Sequence, residues 1–373
     1  MNMKIACTKE TLIQAVETIQ SALSARTTLP ILQNFLMETE NRRIKFVSTD
    51  LEMGIKHYAQ GDVSNDGSIT LPARKVSEIL RSLPNDKDIE LSVDPGGKVQ
   101  LKCGRSHFGI IGQPKSEYPV LPEFNKKNSF EVPGKVLAIM IEKTIFSVSS
   151  DETRHVLNGV FWSAKNGLLE MVSTDGRRLS VMAKKMLPPD KSFQVIVPTK
   201  VLTEMERTIR NQGGKEGDGE NVLLTVSENQ IGFQMKSTTM ISRLLTGSFP
   251  NYQQVIPQKK DIMVVVGTQE LLDVTKRAAL AVGERGGAVK YTLRRGALGV
   301  EAQSPNVECK DELSLDYDGP EFQAAFNPGF VVDALKHIDS EKTQLSMTSP
   351  VNPVLFEPAG GDDYRFVVMP MRA

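Results

Sequence analysis

With 373 residues, 40% of them hydrophobic and 24% charged, the chain reads as an ordinary globular protein with room for two or three domains. Its 45 basic and 45 acidic residues cancel to a net charge of +0, which excludes a gross electrostatic footprint for nucleic acid or anionic membrane, although separated faces of opposite sign also sum to zero. Cys7, Cys103 and Cys309 are odd in number and far apart, which excludes a disulfide framework and metal-type spacing; no stretch approaches the roughly 18 apolar residues of a membrane span, so the expected compartment is the cytoplasm.

In chain order, the β-like run MKIAC precedes a helix from Thr8, TKETLIQAVETIQSALS, whose Leu12, Ala15, Val16, Ile19 and Leu23 form one apolar stripe at the helical period. The stretch FLMETENRRIKFVSTD then alternates apolar residues and breaks at polar turns, as hairpins do. ITLPARKVSEILRSL, from Ile69, ends an apolar run in Pro72 and starts a second helix directly behind it. IELSVDPGGKVQLKC closes the series as a meander that turns at Asp94–Gly97.

The series comes twice more. SFEVP leads into PGKVLAIMIEKTIFSVS, GVFWSAKNGLLEMVSTD, VIVPTKVLTEMERTIR and NVLLTVSENQIGFQM; IMVVV leads into GTQELLDVTKRAALAVG, VKYTLRRGALGVEAQ, AAFNPGFVVDALKHI and YRFVVMPMR. The leading prolines Pro72, Pro198 and Pro328 are spaced 126 (198 − 72) and 130 (328 − 198). Apolar residues follow each at +4 and +7: Val76 and Ile79, Leu202 and Met205, Val332 and Leu335. The spacing predicts an internally triplicated α+β protein of β-α-β-β-β-β-α-β-β-β units, divided at polar connectors into 1–125, 126–258 and 259–373.

Chemistry-bearing constellations are sparse. Ser48-Thr49-Asp50 recurs as Ser173-Thr174-Asp175, 125 positions on (175 − 50). A pair of catalytic carboxylates is one reading; a turn held by side-chain hydrogen bonds is the other, and it also covers Ser304-Pro305-Asn306 in the third unit. His57, His107, His155 and His337 are scattered without zinc or nucleophile spacing. The glycine-dense Asn211–Glu220 loop lacks the phosphate-cradle pattern. Two features remain: basic residues on the proline-led helices, able to meet phosphates without reading bases, and the terminal Met369-Pro370-Met371, an adaptable apolar surface for partners.

The triplicated unit, with ARTTLPIL from Ala25, LPARK from Leu71, Leu157-Asn158-Gly159, TDGRRL from Thr174, Phe249-Pro250-Asn251-Tyr252 and the terminal VMPMR, resembles the bacterial sliding clamp family, the beta subunit of DNA polymerase III, over the whole chain in register. The resemblance implies no catalysis, no cofactor and no metal. It implies a head-to-tail homodimer whose six domains ring duplex DNA without reading sequence, with helices lining the hole. Replicative polymerases, the clamp loader and other clamp-binding proteins would insert short peptides in a groove.

By similarity, Arg26, Arg74, Lys75, Arg154 and Lys200 face DNA, with Arg207 and Arg210 added on helix position alone. The groove would comprise Leu157, Thr174, Gly176, Arg177, Arg178, Leu179, Pro250, Val255, Asn327, Phe330, Val351, Val367, Met369, Pro370, Met371 and Arg372. The chain departs from the family at its rim, with Gln254 where Arg is frequent and Gly286 where a bulky side chain is common. The dimer contact is expected edge strand to edge strand, between Arg105–Ile110, which includes Phe108, and the third unit near Val300–Ser304, which includes Glu301. Leu280 would add apolar contact, and Glu308, Asp311 and Glu312 would be available to Arg105.

Overall fold

A computed structural model describes residues 3–24, 28–212, 221–283, 287–361 and 363–371. The first repeat runs β1 (Lys4–Thr8), α1 (Lys9–Ile19), β2 (Asn34–Glu40), β3 (Arg43–Thr49), β4 (Met53–Ala59), β5 (Asp62–Asn65), β6 (Ser68–Pro72), α2 (Ala73–Ser82), β7 (Asp88–Val93), β8 (Lys98–Cys103) and β9 (Ser106–Ile111). The second runs β10 (Phe130–Pro133), α3 (Gly134–Ile145), β11 (Gly159–Lys165), β12 (Leu168–Thr174), β13 (Arg178–Lys185), β14 (Phe193–Pro198), α4 (Thr199–Gln212), β15 (Asn221–Val226), β16 (Gln230–Met235) and β17 (Thr238–Arg243). The third runs β18 (Ile262–Gly267), α5 (Thr268–Ala279), β19 (Val289–Arg294), β20 (Ala297–Gln303), β21 (Glu308–Ser314), β22 (Phe322–Phe326), α6 (Pro328–Lys336), β23 (Lys342–Met347), β24 (Val354–Pro358) and β25 (Tyr364–Val368).

Repeats two and three follow the expected series. The first adds the short β5, which crosses to pair with β1. Gly61 permits that crossing, because a Cβ there would lie 2.9 Å from the Ala6 carbonyl oxygen.

The helices form where the apolar period and the caps agree. Thr8 caps α1 by accepting the Thr11 N–H at 3.1 Å, and Leu12, Ala15, Val16 and Ile19 are buried. Pro72 ends β6 and stands at the N-cap of α2, and Pro198 ends β14; only Pro328 sits inside a first turn, capped by Asn327. The buried stripes are centred one residue from the expected ones in places. Leu80 and Val331 are buried and Ile79 and Val332 half-buried, because an arc wider than 100° takes in neighbouring positions.

The strands form four antiparallel sheets, and two of them ignore the repeat boundaries. The orders are β5-β1-β7-β8-β9, β10-β15-β16-β17-β4-β3-β2-β6, β14-β11-β12-β13-β25-β24-β23-β18 and β21-β20-β19-β22. The first join pairs β17 with β4 (Met240 opposite Ile55), and the second pairs β13 with β25 (Leu179 opposite Val367). The chain accordingly divides into two compact units, 1–135 with 200–244 and 136–199 with 245–373. No helix among the described residues is long and apolar enough to cross a membrane.

The repeated Ser-Thr-Asp motif is spent on structure. Ser48 Oγ donates to the Ile19 carbonyl at 2.5 Å, and Ser173 Oγ to that of Thr144, at the ends of α1 and α3. Asp50 Oδ1 accepts the N–H groups of Glu52 and Met53; Asp175 Oδ1 accepts those of Arg177 and Arg178. In the third unit Ser304 N–H closes a turn on the Val307 carbonyl at 2.8 Å.

Candidate nucleic-acid and peptide interfaces

The groove candidates converge on the turn between β12 and β13. Thr174 Oγ1 donates to the Arg178 carbonyl at 2.6 Å and accepts the Gly176 N–H at 3.0 Å. Gly176 has φ +85°, and a Cβ there would lie 3.2 Å from Arg154 Nη1, so a side chain would be both strained and crowded. This turn presents the Arg177 carbonyl to the Met369 N–H at 2.9 Å. One wall therefore joins Thr174–Leu179 to Val367–Pro370, and Met371 is pinned in turn by its N–H on the Ala325 carbonyl at 2.7 Å.

Beneath the wall, Leu179 and Val367 are buried in one cluster with Val172, Val181, Ile256 and Leu355, against Phe161, Phe249 and Tyr252. Phe161 stacks on Phe249 at 5.1 Å and 13°. The Tyr252 hydroxyl donates to Glu170; burial first, and that bond second, push the phenol upward. Apolar residues face outward beside this floor: Val255, Val351 and Met371 are exposed, as is Pro250, while Leu157 is buried.

Arg178 ties the wall to α6. Its Nε donates to Asp175 at 3.1 Å and its Nη1 to Asp333 at 2.6 Å, while the guanidinium lies over Phe330 at 4.7 Å. Asn327 and Phe330 enter the site through this contact and the α6 cap. Asp175 and Asp333, which orient Arg178, Ile256 in the buried cluster, and Phe146, whose ring centroid lies 5.7 Å from the Arg178 guanidinium, carry no groove signal in the sequence. The Phe249–Tyr252 motif was the only local sign of the aromatic floor. Arg372, Arg26, the rim residue Gly286 and the glycine-dense 213–220 lie outside the described residues.

The cations expected to face DNA occupy α2 (Arg74, Lys75), α4 (Lys200, Arg207, Arg210) and the 3-10 turn Glu152–Leu157 (Arg154). All six are exposed, and Arg154 also leans over the Gly176 turn just described.

The expected dimer contact needs one correction. Glu301 lies on β20, which is paired on both sides, to β19 and β21; the free edge of that sheet is β21. The turn at Ser304–Val307 folds one more strand outside the 300–304 segment, and a hairpin of this kind leaves no boundary signal in apolar alternation. On the first repeat, β9 is an edge, with Phe108 half-buried, Ile110 buried and Arg105 in the turn before it. Leu280, at the end of α5, is exposed. The acidic residues of β21 have partners within the chain: Glu308 with Lys310, Asp311 with Arg277 and Glu312 with Arg294.

Family profiles for the N-terminal, central and C-terminal domains of the DNA polymerase III beta subunit match residues 3–122, 131–251 and 253–372. A beta sliding clamp of Pseudomonas aeruginosa is 30% identical over 99% of this chain and 100% of its own length. The crystal structure of the DNA polymerase sliding clamp from Bacillus subtilis is similar with a TM-score of 0.94 at 28% identity, covering 100% of both chains. A Pseudomonas aeruginosa clamp bound to griselimycin gives 0.93 at 29%, again over 100% of both.

Proposed function

Because the chain belongs to the DNA polymerase III beta subunit family, we propose that two copies close head to tail into a ring of six domains around duplex DNA. The chain is a DNA sliding clamp and not an enzyme, with DNA and a polymerase among its partners. In this reading three domains, 1–125, 126–258 and 259–373, hold by topology and slide in the cytoplasm. The Arg178 wall takes short apolar-anchored peptides of the replicative polymerase, the clamp loader and other clamp-binding proteins.

One observation supports the ring above others. Each join within the chain pairs the strand after the Ser-Thr-Asp turn of one repeat with the last strand of the next: β4 with β17, and β13 with β25. The same rule applied to what remains pairs β21 of the third repeat with β9 of the first, and both are sheet edges. Each is the edge of its own sheet. Between copies the pairing generates a heterologous contact of the same kind as the joins inside the chain, and such a contact closes a ring when its rotation closes.

The test is retention on DNA. Loaded protein is expected to stay on closed circular DNA and to leave the same DNA once linearised; equal loss from both forms would overturn topological holding.

A further inference from the structure

In the unit built from 1–135 and 200–244, each described cation expected to face DNA is already held by a carboxylate. On α2, Glu78 takes both Arg74 (Nε to Oε1, 3.1 Å) and Lys75 (Nζ to Oε2, 3.0 Å). On α4, Glu204 is bonded by Arg207 through Nε at 3.0 Å and Nη2 at 2.5 Å, and the same Nη2 donates to the Glu17 carbonyl at 3.1 Å. Arg210 Nε meets Glu206 at 2.9 Å, and Lys200 reaches Asp50. Five cations against four carboxylates leave one net positive charge (5 − 4). In the other unit Arg154 repeats the arrangement with Asp151 at 3.3 Å.

These pairs are of two kinds. Glu78 is 48% exposed and Arg74 92%, so theirs is a solvated pair that a phosphate can open readily. Hydrogen bonds from Lys75, then Arg74, hold the Glu78 carboxyl below the usual range, so it stays ionised and waits to retake its cations. Glu204 is only 5% exposed, and Asp50 is also largely covered. Stripping the cation from a covered carboxylate is costly, so Arg207 and Lys200 keep these partners while a phosphate passes. A paired cation also presents a dipole, whose attraction falls with distance faster than that of a free charge.

We propose that Glu78, Glu204, Glu206 and Asp50 are resident competitors of the DNA phosphates for these five cations, so that the protein holds duplex DNA loosely and in no fixed register. The inference rests on the clamp reading for the direction these helices face. It assigns to four acidic residues the function of keeping the DNA contact weak enough to slide. Counting basic residues along the helices would give the opposite expectation, a sticky wall.

The experiment compares the full-length parent with Glu78→Gln and Glu206→Gln, and with Glu90→Gln on the exposed face of β7 as a charge-matched control. Affinity for a short linear duplex is read across a salt series. Glu78→Gln is expected to bind severalfold tighter at low salt and to steepen the salt slope by up to about 1.8, roughly 0.9 for each of the two cations released to phosphate. Glu206→Gln is expected to gain about half of that slope, and diffusion of loaded Glu78→Gln on circular DNA is expected to slow. Parent-like binding by both variants, or an equal gain by Glu90→Gln, would overturn the proposal. Linear-duplex affinity does not depend on ring closure, so failure of retention on circular DNA would be read separately, as failure of the clamp reading.

Discussion

The imidazole of His337 lies flat against the ring of Phe146, with centroids 4.0 Å apart and planes 9° from parallel. Phe146 meets Phe366 edge-on at 5.2 Å, and the Arg178 guanidinium stands 5.7 Å from its centroid. A contact path therefore runs from the end of α6 to the Arg178 side chain, which ties the groove wall to that helix. Phe146→Leu keeps apolar bulk and removes the ring faces, which contribute about 0.5–1.5 kcal/mol per aromatic pair beyond burial. The expected outcome is a loss of about 1–2 kcal/mol in urea denaturation, with severalfold weaker binding of groove peptides. Unchanged peptide affinity in the folded variant would show that the stack does not set Arg178.

Lys143 is a buried strut behind that stack. Its Nζ donates to the His337 carbonyl at 2.7 Å and to Asp339 at 2.6 Å, and it stands 5.1 Å from the Tyr364 centroid. Asp339 is 71% exposed and can turn to water; the His337 carbonyl loses its donor outright. Lys143→Met is expected to cost about 1–3 kcal/mol, and Asp339→Asn less than about 1 kcal/mol. Denaturation midpoints compare the two, and equal losses would assign the energy to the ion pair instead of the carbonyl bond.

His57 makes the β4–β17 join sensitive to acid. It is 9% exposed, and its Nδ1 pairs with Thr238 Oγ1 at 2.9 Å. Burial lowers its pKa from 6.5 to about 4. Below pH 6.5 the unfolded chain takes up a proton that the folded chain refuses, so stability falls as pH drops from 6.5 towards 4, by up to about 3 kcal/mol in all. Unfolding free energies measured between pH 7 and 4.5 are expected to show this slope, and His57→Gln to flatten it. A parallel slope in the variant would place the proton uptake elsewhere.

The β9–β21 pairing has its own test. Ile111 ends β9 with 83% of its surface exposed, so a charge there costs the single chain little. Ile111→Asp would bring a carboxylate to an edge whose proposed partner strand carries Glu308, Asp311 and Glu312. Sedimentation is expected to show monomer where the parent forms the proposed dimer, with the circular dichroism spectrum of the folded chain unchanged. A dimer as tight as the parent's would move the contact to other strands.

The three-fold series, the six described helices behind their caps and prolines, and the Ser-Thr-Asp turns are legible in the chain, because each is written in residues a few positions apart. Leu179, Val367 and Arg178 are groove candidates through motif resemblance, not through any local rule. Tertiary structure alone decided that β17 joins β4 and β25 joins β13, since partners more than 180 residues apart leave no period to read. It also decided that Lys143 is covered, that β21 and not β20 is the edge, and that Lys200 is engaged by Asp50. In a sequence a charge counts the same wherever it stands, whereas its effect in the folded protein depends on which opposite charge is within reach and how much water lies between them.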